Sequence, residues 1–346
     1  MDSAVDGSID ISIRSYDEQI QQAYRSLFPG DPQKSPELLD WRFQANPHGL
    51  AKFAVAVEGS EIVGMIALVP TRLVGSKAAM TCYQAIDTVV HPSFRGRGLF
   101  VRMGAASQDE QALGGSVLWG FPNANAARGW YGRLGWTNLG AVPLLMRPLR
   151  SGFLLGKVHP KLRSIDFPLV RNRNVQAQVY ADGRSFAEDF GPLWERVSAE
   201  FGIAVDRNAD WMRWRLFAKP GEKYRCVGLK SGAGDLECFV ATKIADKHGA
   251  RICYVMEAIG IAERRADLTS LLVGELARAA CEGAEIALAW CPRAAPNHVA
   301  HRKAGFVPVP PRFRPIEINF GAKSLSRPVT TTVSDWYLSF LDSDTN

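Results

Sequence analysis

The sequence predicts an α/β protein built from two tandem copies of one domain, each a mixed, mostly antiparallel central sheet flanked by helices. Three observations lead there. The first half alternates short apolar runs with stretches of helical period, as an α/β sheet of mixed direction does. A pattern around Trp41 returns around Trp214: Leu39-Asp40-Trp41-Arg42-Phe43 with Pro47 six residues past the Trp, and Met212-Arg213-Trp214-Arg215-Leu216 with Pro220 six past it. Each pattern then leads to a Gly plus an aromatic, with Trp41 94 residues before Gly135 and Trp214 91 before Gly305. Two anchors in one order at near-equal spacing argue for duplication rather than two coincidental Trp-Arg pairs.

Taken in order, residues 10–14 form a strand with Ile11 and Ile13 on one face, and residues 16–28 and 35–45 form helices. Ser35-Pro36-Glu37 opens the second helix with a cap and a proline at its first position. Residues 52–57 and 61–69 are strands joined by the hairpin signal Glu58-Gly59-Ser60, and residues 81–90 are a further strand ended by Pro92. A helix over 98–113 stops at Gly114-Gly115. A short strand (116–120), a helix closed by Gly135 (124–134) and a returning strand (136–146) complete the first copy, the domain of residues 1–150. Gly, Pro and basic residues without a period mark a linker at 151–165, and the second copy occupies 166–346, with Tyr224 to Lys243 as its hairpin.

Composition excludes several classes. The 346 residues are 47% hydrophobic and 22% charged with a net charge of +6, and the basic residues are scattered rather than run together. That suits an anionic ligand and falls short of a nucleic-acid signature. The start is acidic and polar rather than a targeting signal, and no apolar run approaches a membrane span. Six cysteines (82, 226, 238, 253, 281 and 291) show no Cys-x-x-Cys pair and no His at zinc-ligand spacing, so reduced core thiols, a cytoplasmic location and no metal are expected.

The chemistry is concentrated at Val90-His91-Pro92-Ser93-Phe94-Arg95-Gly96-Arg97-Gly98-Leu99-Phe100. A strand running through a Gly-rich turn into a helix offers successive N–H groups at the positive end of the helix dipole, the arrangement a pyrophosphate requires. Gly96 and Gly98 let the backbone approach closely, and Arg95 and Arg97 add charge. Without its context the turn reads equally as an exposed basic loop. In context, Arg95-x-x-Gly98-x-Phe100 resembles the acetyl-CoA signature of the GNAT (Gcn5-related) N-acetyltransferases, Arg/Gln-x-x-Gly-x-Gly/Ala, with Phe100 replacing its last small residue. A second block, Asn123-Ala124-Asn125 through Tyr131-Gly132-Arg133-Leu134-Gly135-Trp136, resembles that family's later motif, an Asn followed by a helix ending Tyr-x-Lys-x-Gly-Phe.

The resemblance implies acetyl-CoA as co-substrate. It assigns Thr88, Val89, Val90, Arg95, Gly96, Arg97, Gly98, Leu99 and Phe100 to cofactor binding, Val90 as the N–H donor to the thioester carbonyl, and Asn123 or Asn125 to the pantetheine arm. It makes Tyr131 the acid that protonates the departing thiolate, with a core tyrosine as the structural alternative. Candidate bases are Asp87, through water or else in a structural hydrogen bond, the adjacent His91, and the tail Asp342-Ser343-Asp344, which the aromatic anchor Trp336-Tyr337-Leu338 can pin to the body.

At the corresponding turn of the second copy, Glu257 to Arg265, there is no Arg-Gly-x-Gly, and Glu257 and Glu263 stand where phosphates would. His301 takes the place of Tyr131. That copy is expected to lack the cofactor and to wall the acceptor pocket or stabilise the first. Asn297, His298 and His301 are substrate contacts or satisfied polar residues, and Trp41 and Trp214 are fold anchors. The resulting expectation is N-acetyl transfer to a primary amine of a small molecule, such as an amino sugar or metabolite amine, without nucleic-acid or membrane partners. A homodimer is allowed but not required. The alternatives are an aminoacyl or long-chain acyl transferase on the same doubled fold, and a non-catalytic acyl-CoA sensor.

Overall fold

The computed structural model describes residues 9–75, 80–171, 175–314, 318–328 and 332–343. The chain folds as two compact units. The first comprises Met1–Leu73, Ala78–Ala141 and Ile318–Val333, and the second Val74–Lys77, Val142–Glu317 and Ser334–Asn346. Both are α/β, each with its own mixed sheet.

The first unit runs β1 (Asp10–Ser15), α1 (Glu18–Leu27), α2 (Pro36–Phe43), β2 (Lys52–Glu58), β3 (Glu61–Val74), β4 (Met80–Val90), α3 (Leu99–Ala106), α4 (Glu110–Leu113), β5 (Val117–Gly120), α5 (Ala124–Ala127) and β6 (Thr137–Ala141). Asp17 and Ser35 cap α1 and α2 through their side chains, as the sequence signals require. Strand alternation divides the core between two faces. Phe53, Val55, Met65 and Ala67 cluster with Ile20 and Tyr24 of α1 and Leu39 and Phe43 of α2. On the other face Ala54, Ile66 and Leu68 cluster with Leu99 and Met103 of α3 and with Trp130 and Leu134.

The second unit runs β7 (Leu144–Pro148), α6 (Ser151–Val158), β8 (Gln178–Tyr180), α7 (Gly183–Val197), β9 (Ala204–Val205), α8 (Ala209–Phe217), β10 (Arg225–Lys230), β11 (Leu236–Lys247), β12 (Ala250–Gly260), α9 (Arg265–Cys281), β13 (Ile286–Trp290), α10 (His298–Lys303) and β14 (Val307–Pro308). Its sheet order is β14-β7-β13-β12-β11-β10-β8. Val240, Cys253 and Val255 cluster with Leu268, Leu272 and Leu276 of α9, while Phe239 on the opposite face meets the rings of Phe186 and Phe190 from α7.

Four expectations are corrected. The strand expected over 136–146 breaks around Val142-Pro143 into β6 and β7, which join different sheets, and the first unit's leading part of the chain runs to Ala141. Proline has no N–H to continue a ladder. The first sheet takes a strand from late in the sequence instead: β15 (Asn319–Ser324) lies antiparallel between β5 and β6, in the order β1-β2-β3-β4-β5-β15-β6. The 98–113 helix is interrupted because the Asp109 side chain accepts from Gln111 and Ala112 N–H and starts a new turn. The supposed linker at 151–165 is helical, formed by α6 and a 3-10 turn at Pro160–Ser164.

All six cysteines are unpaired thiols, with Cys281 exposed and the rest buried. Among the described residues, no helix is long and apolar enough to cross a membrane.

Candidate active site

The site begins where two parallel strands part. β4 and β5 pair at Cys82↔Val117, Tyr83↔Leu118 and Gln84↔Trp119, and then β4 runs on to Val90 without β5, still paired with β3 on its other edge. Gly120 marks the fork: a Cβ there would lie 2.8 Å from the Ala85 carbonyl oxygen. Just beyond it β4 bulges. Met65 faces Val89 and Ala67 faces Ile86, so Asp87 and Thr88 stand opposite the single residue Ile66. Asp87 takes φ +47° at this bulge, in the left-handed region that Asp tolerates better than most residues.

The Asp87 side chain faces α1 and α2. Lys34 Nζ lies 2.5 Å from its Oδ1, the Tyr24 hydroxyl donates to its Oδ2 at 3.0 Å, and Arg42 Nη1 lies 3.7 Å from the same oxygen. Lys34 also lies over the Phe28 and Tyr24 rings, at 5.3 and 5.8 Å. Burial first, and then the Asp87 charge, raise the Tyr24 phenol well above its ordinary value, which keeps it a donor. The carboxylate expected as a base is therefore committed to partners from three elements.

Past the bulge, the His91 N–H donates to Val63 O at 2.8 Å on the β3 side. Strand alternation turns the N–H and C=O of Val90 to the opposite edge, which β5 has left. There the Val90 carbonyl accepts from Arg95 Nε at 3.2 Å, which holds the guanidinium beside the open edge.

The turn that follows has Gly96 at φ +81° and Gly98 at φ +72°, and a Cβ at either would point into open space. Gly98 caps α3 with no side-chain hydrogen bond, and its carbonyl takes the N–H groups of Val101 and Arg102. The earlier N–H groups of that turn have no partner within the helix. Arg97 stacks over Phe94 at 5.0 Å and lies 3.9 Å from Glu58. Leu99 is buried in the core, so its contribution to the turn is backbone only.

Phe100 points toward Trp130, edge-on at 5.3 Å, and packs on Gly129, where a Cβ would overlap its ring. Gly104 one turn later likewise has no room for a Cβ beside Leu134.

The helix expected over 124–134 is only α-helical to Ala127. Residues Arg128–Arg133 form a π-turn, with Leu134 N–H bonded to Gly129 O at 3.0 Å. The wider turn alters the direction in which Tyr131 projects. Its phenol lies on β15: a Cβ on Gly321 would stand 2.7 Å from Tyr131 Cε1 and 3.0 Å from its hydroxyl. Gly321 pairs with Gly120, the residue at the fork. Among the described residues the buried Tyr131 hydroxyl has no hydrogen-bond partner, and burial pushes it up to about 12. Asn123 Oδ1 accepts from the Ala126 N–H at 3.0 Å and caps α5, while Asn125 is exposed.

The second unit repeats the fork. β12 pairs in parallel with β13 from Ile252↔Ile286 to Val255↔Ala289, then bulges at Met256, between Val255↔Thr242 and Glu257↔Ala241. Its turn has no left-handed glycine among the described residues. Here the C-terminal segment occupies the cleft. Tyr337 OH and Ser339 Oγ donate to Glu257, Arg207 Nε lies 2.6 Å from Glu257 and its Nη2 2.7 Å from Asp342, and Asn297 Nδ2 donates to Ala258 O at 2.6 Å.

The aromatic anchor thus holds the tail inside the second unit, and Asp342 is a buried partner of Arg207 rather than a base. Asp344 lies outside the described residues. His301 is buried with Nδ1 3.0 Å from Asn297 O, and burial pushes it down to about 4. Asn297 and His301 are internal supports of this filled cleft. No feature of the sequence separates a buried supporting Asn from a ligand contact. His91 caps the 3-10 turn Pro92–Phe94 through Nδ1, and Glu263 is exposed. Lys34 and Tyr24 escaped the sequence reading, because only the fold brings them to Asp87.

Residues 3–139 match the family model described as an acetyltransferase (GNAT) domain. A search of curated protein sequences gives no match. Among solved structures, a probable N-acyltransferase from Enterococcus faecalis V583 superposes with a TM-score of 0.61 at 11% identity, over 92% of this chain and 73% of that one. Saccharomyces cerevisiae N-myristoyltransferase with bound myristoyl-CoA gives 0.59 at 11%, over 90% and 82%. A GCN5-related N-acetyltransferase from Anabaena variabilis gives 0.61 at 9%, over 91% and 73%. These likenesses are of fold and extend over both units. The domain match and the forked strands above the glycine turn agree that residues 3–139 form an acyltransferase domain of the GNAT type.

Proposed function

We propose that the first unit transfers a short acyl group, acetyl in the first instance, from acyl-coenzyme A to the primary amine of a small molecule. The observation that carries this reading is the buried, unpartnered Tyr131 hydroxyl beside the fork of β4 and β5. A phenol without a partner among the described residues costs about 1–3 kcal/mol of desolvation. It remains protonated at neutral pH and can give its proton to a leaving sulfur. A pure acyl-CoA sensor needs no such group.

The remaining residues have matching roles. The Gly96–Phe100 backbone, Arg95 and Arg97 suit a pyrophosphate, whose approach a Cβ at Gly96 or Gly98 would obstruct. Val90 N–H, at the open edge, suits the acyl carbonyl. Thr88 at the bulge and Val89 after it line the strand that leads to Val90, and Asn123 and Asn125 border the pantetheine path. The thioester supplies an acyl carbon activated toward nucleophiles.

Asp87 we read as a positioning residue. Its ion pair with Lys34 ties the α1–α2 segment to the bulge that aims Val90 into the cleft. With that carboxylate committed, the acceptor sheds its proton to water. An ammonium can do so near neutral pH, whereas an alcohol cannot, so the reading favours an amine.

Acyl length follows from the closed end of the fork. Trp119, Phe121 and Phe320 pack together with ring centroids 5.5–6.1 Å apart, Trp119 and Phe320 fully buried, and Trp119 donates to Thr71 Oγ1 at 2.9 Å. This packing favours acetyl over a long chain. The filled second cleft favours one site per chain. A thiol-release assay with acetyl-, octanoyl- and myristoyl-CoA against a panel of amines tests the reading. Release with acetyl-CoA and an amine supports it, and tight acetyl-CoA binding without release on any amine overturns it in favour of a sensor.

A further inference from the structure

We infer that the helical hairpin over residues 151–171 of the second unit is a docking surface for an anionic lipid membrane. Its fold is secured by backbone and polar contacts. Gly156 lets α6 approach the 3-10 turn, a Cβ there lying 3.2 Å from Arg163 Cβ. Ser151 N–H donates to Phe167 O at 2.9 Å, Ser151 Oγ donates to Ile165 O at 2.9 Å, and Arg150 pairs with Asp166 at 2.6 Å.

The large apolar side chains of the hairpin are meanwhile left outside. Leu154 is 44% exposed, Val158 79%, Ile165 50%, Phe167 54% and Leu169 41%. These five are half of the ten large hydrophobic residues exposed among those described, so exposed apolar side chains are concentrated in this one short hairpin rather than scattered.

Charge selects the occupant. With the flanking Arg150, the span carries Lys157, Lys161, Arg163 and Arg171 against one acid, Asp166. Arg163 is paired with Glu285, while among the described residues Lys157 and Lys161 form no ion pair. A two-fold contact with a second copy would set these cations against their counterparts. An anionic bilayer surface attracts the lysines, and the apolar side chains enter the headgroup boundary while the lysine heads stay at phosphate level. Such a surface element needs no membrane-spanning run, only a few apolar side chains beside cations.

The test pellets the full chain with vesicles of phosphatidylcholine and phosphatidylglycerol in equal parts, and with phosphatidylcholine alone. Pelleting is expected with the anionic vesicles only and should weaken as salt is added. Lys157→Gln and Lys161→Gln should each lower partitioning about fivefold, and Leu154→Ser with Phe167→Ser by about tenfold or more. Thiol release on a soluble amine should be unchanged in all of these variants. Hydrogen exchange of the unaltered protein, which needs no variant, should slow over 151–171 on anionic vesicles. Absence of pelleting at low salt overturns the inference, as does binding that ignores both sets of substitutions. A dimer in light scattering that Leu154→Ser/Phe167→Ser dissociates, without vesicle binding, overturns it in favour of a contact between copies.

Discussion

The ring of Phe100 fills the space that a side chain on Gly129 would need, and the two residues make one joint between α3 and the π-turn. A large residue at the end of the Arg-x-x-Gly turn is therefore compensated 29 positions later. The ring packs toward Trp130 in the core rather than over the turn, so the departure leaves the glycine cradle intact.

Gly129→Ala should overpack this joint and destabilise the first unit by about 1–3 kcal/mol. Phe100→Ala should cost more, about 3–5 kcal/mol, through the cavity it leaves. The double variant should be less destabilised than the sum of the two, since each change relieves the other. Denaturant unfolding of the four proteins measures the coupling, and strict additivity would show that the contact carries no energy.

Tyr131→Phe should lower kcat at least tenfold, and by up to the roughly 10²–10⁴-fold associated with general acid catalysis, while acetyl-CoA affinity changes little. Because burial holds the hydroxyl near 12, the unaltered enzyme should show no alkaline loss of kcat from this group below about pH 11. Calorimetric binding beside steady-state rates separates the two effects, and an unchanged kcat would remove Tyr131 from the chemistry.

Asp87 is tested by separating its backbone from its carboxylate. Asp87→Asn should destabilise the protein by about 3 kcal/mol by stranding Lys34, yet leave the shape of the pH–rate profile as it was. Asp87→Gly keeps the left-handed bulge available, so it should retain more kcat than Asp87→Ala, which strains φ +47°. Loss of the acidic limb in Asp87→Asn would restore Asp87 as the base.

His301 makes stability depend on pH. Burial holds its folded value near 4, below the ordinary 6.5. The unfolded chain therefore takes up this proton first as pH falls. The stability His301 contributes as a neutral residue is present above pH 6.5 and is lost as pH drops toward 4, by about 3 kcal/mol in all. In His301→Asn that part of the decline should vanish. Unfolding curves at several pH values check this, and parallel declines in the two proteins would refute it.

Much of this molecule is readable locally. The glycine turn was legible because left-handed backbone is a local requirement that Gly96 and Gly98 meet without a steric cost. The duplication was legible from Trp41 and Trp214, since helix ends keep their anchors. Caps at Asp17 and Ser35 likewise belong to single turns.

What stayed hidden depends on residues far apart in the chain. Lys34 and Tyr24 reach Asp87 only when α1 and α2 cover the sheet, and this surrounds the carboxylate with partners. Gly321 comes beside Tyr131 only because β15 enters the first sheet late in the chain. The tail's carboxylate is taken by Arg207 within the second unit's own cleft. The sequence by itself determined the fold class, the doubling and the glycine turn, because these rest on local backbone requirements and period. The tertiary structure alone decided which carboxylates are engaged, which hydroxyl is left unpartnered and which cleft is filled, because hydrogen bonds and burial between distant segments exist only once the sheets have formed.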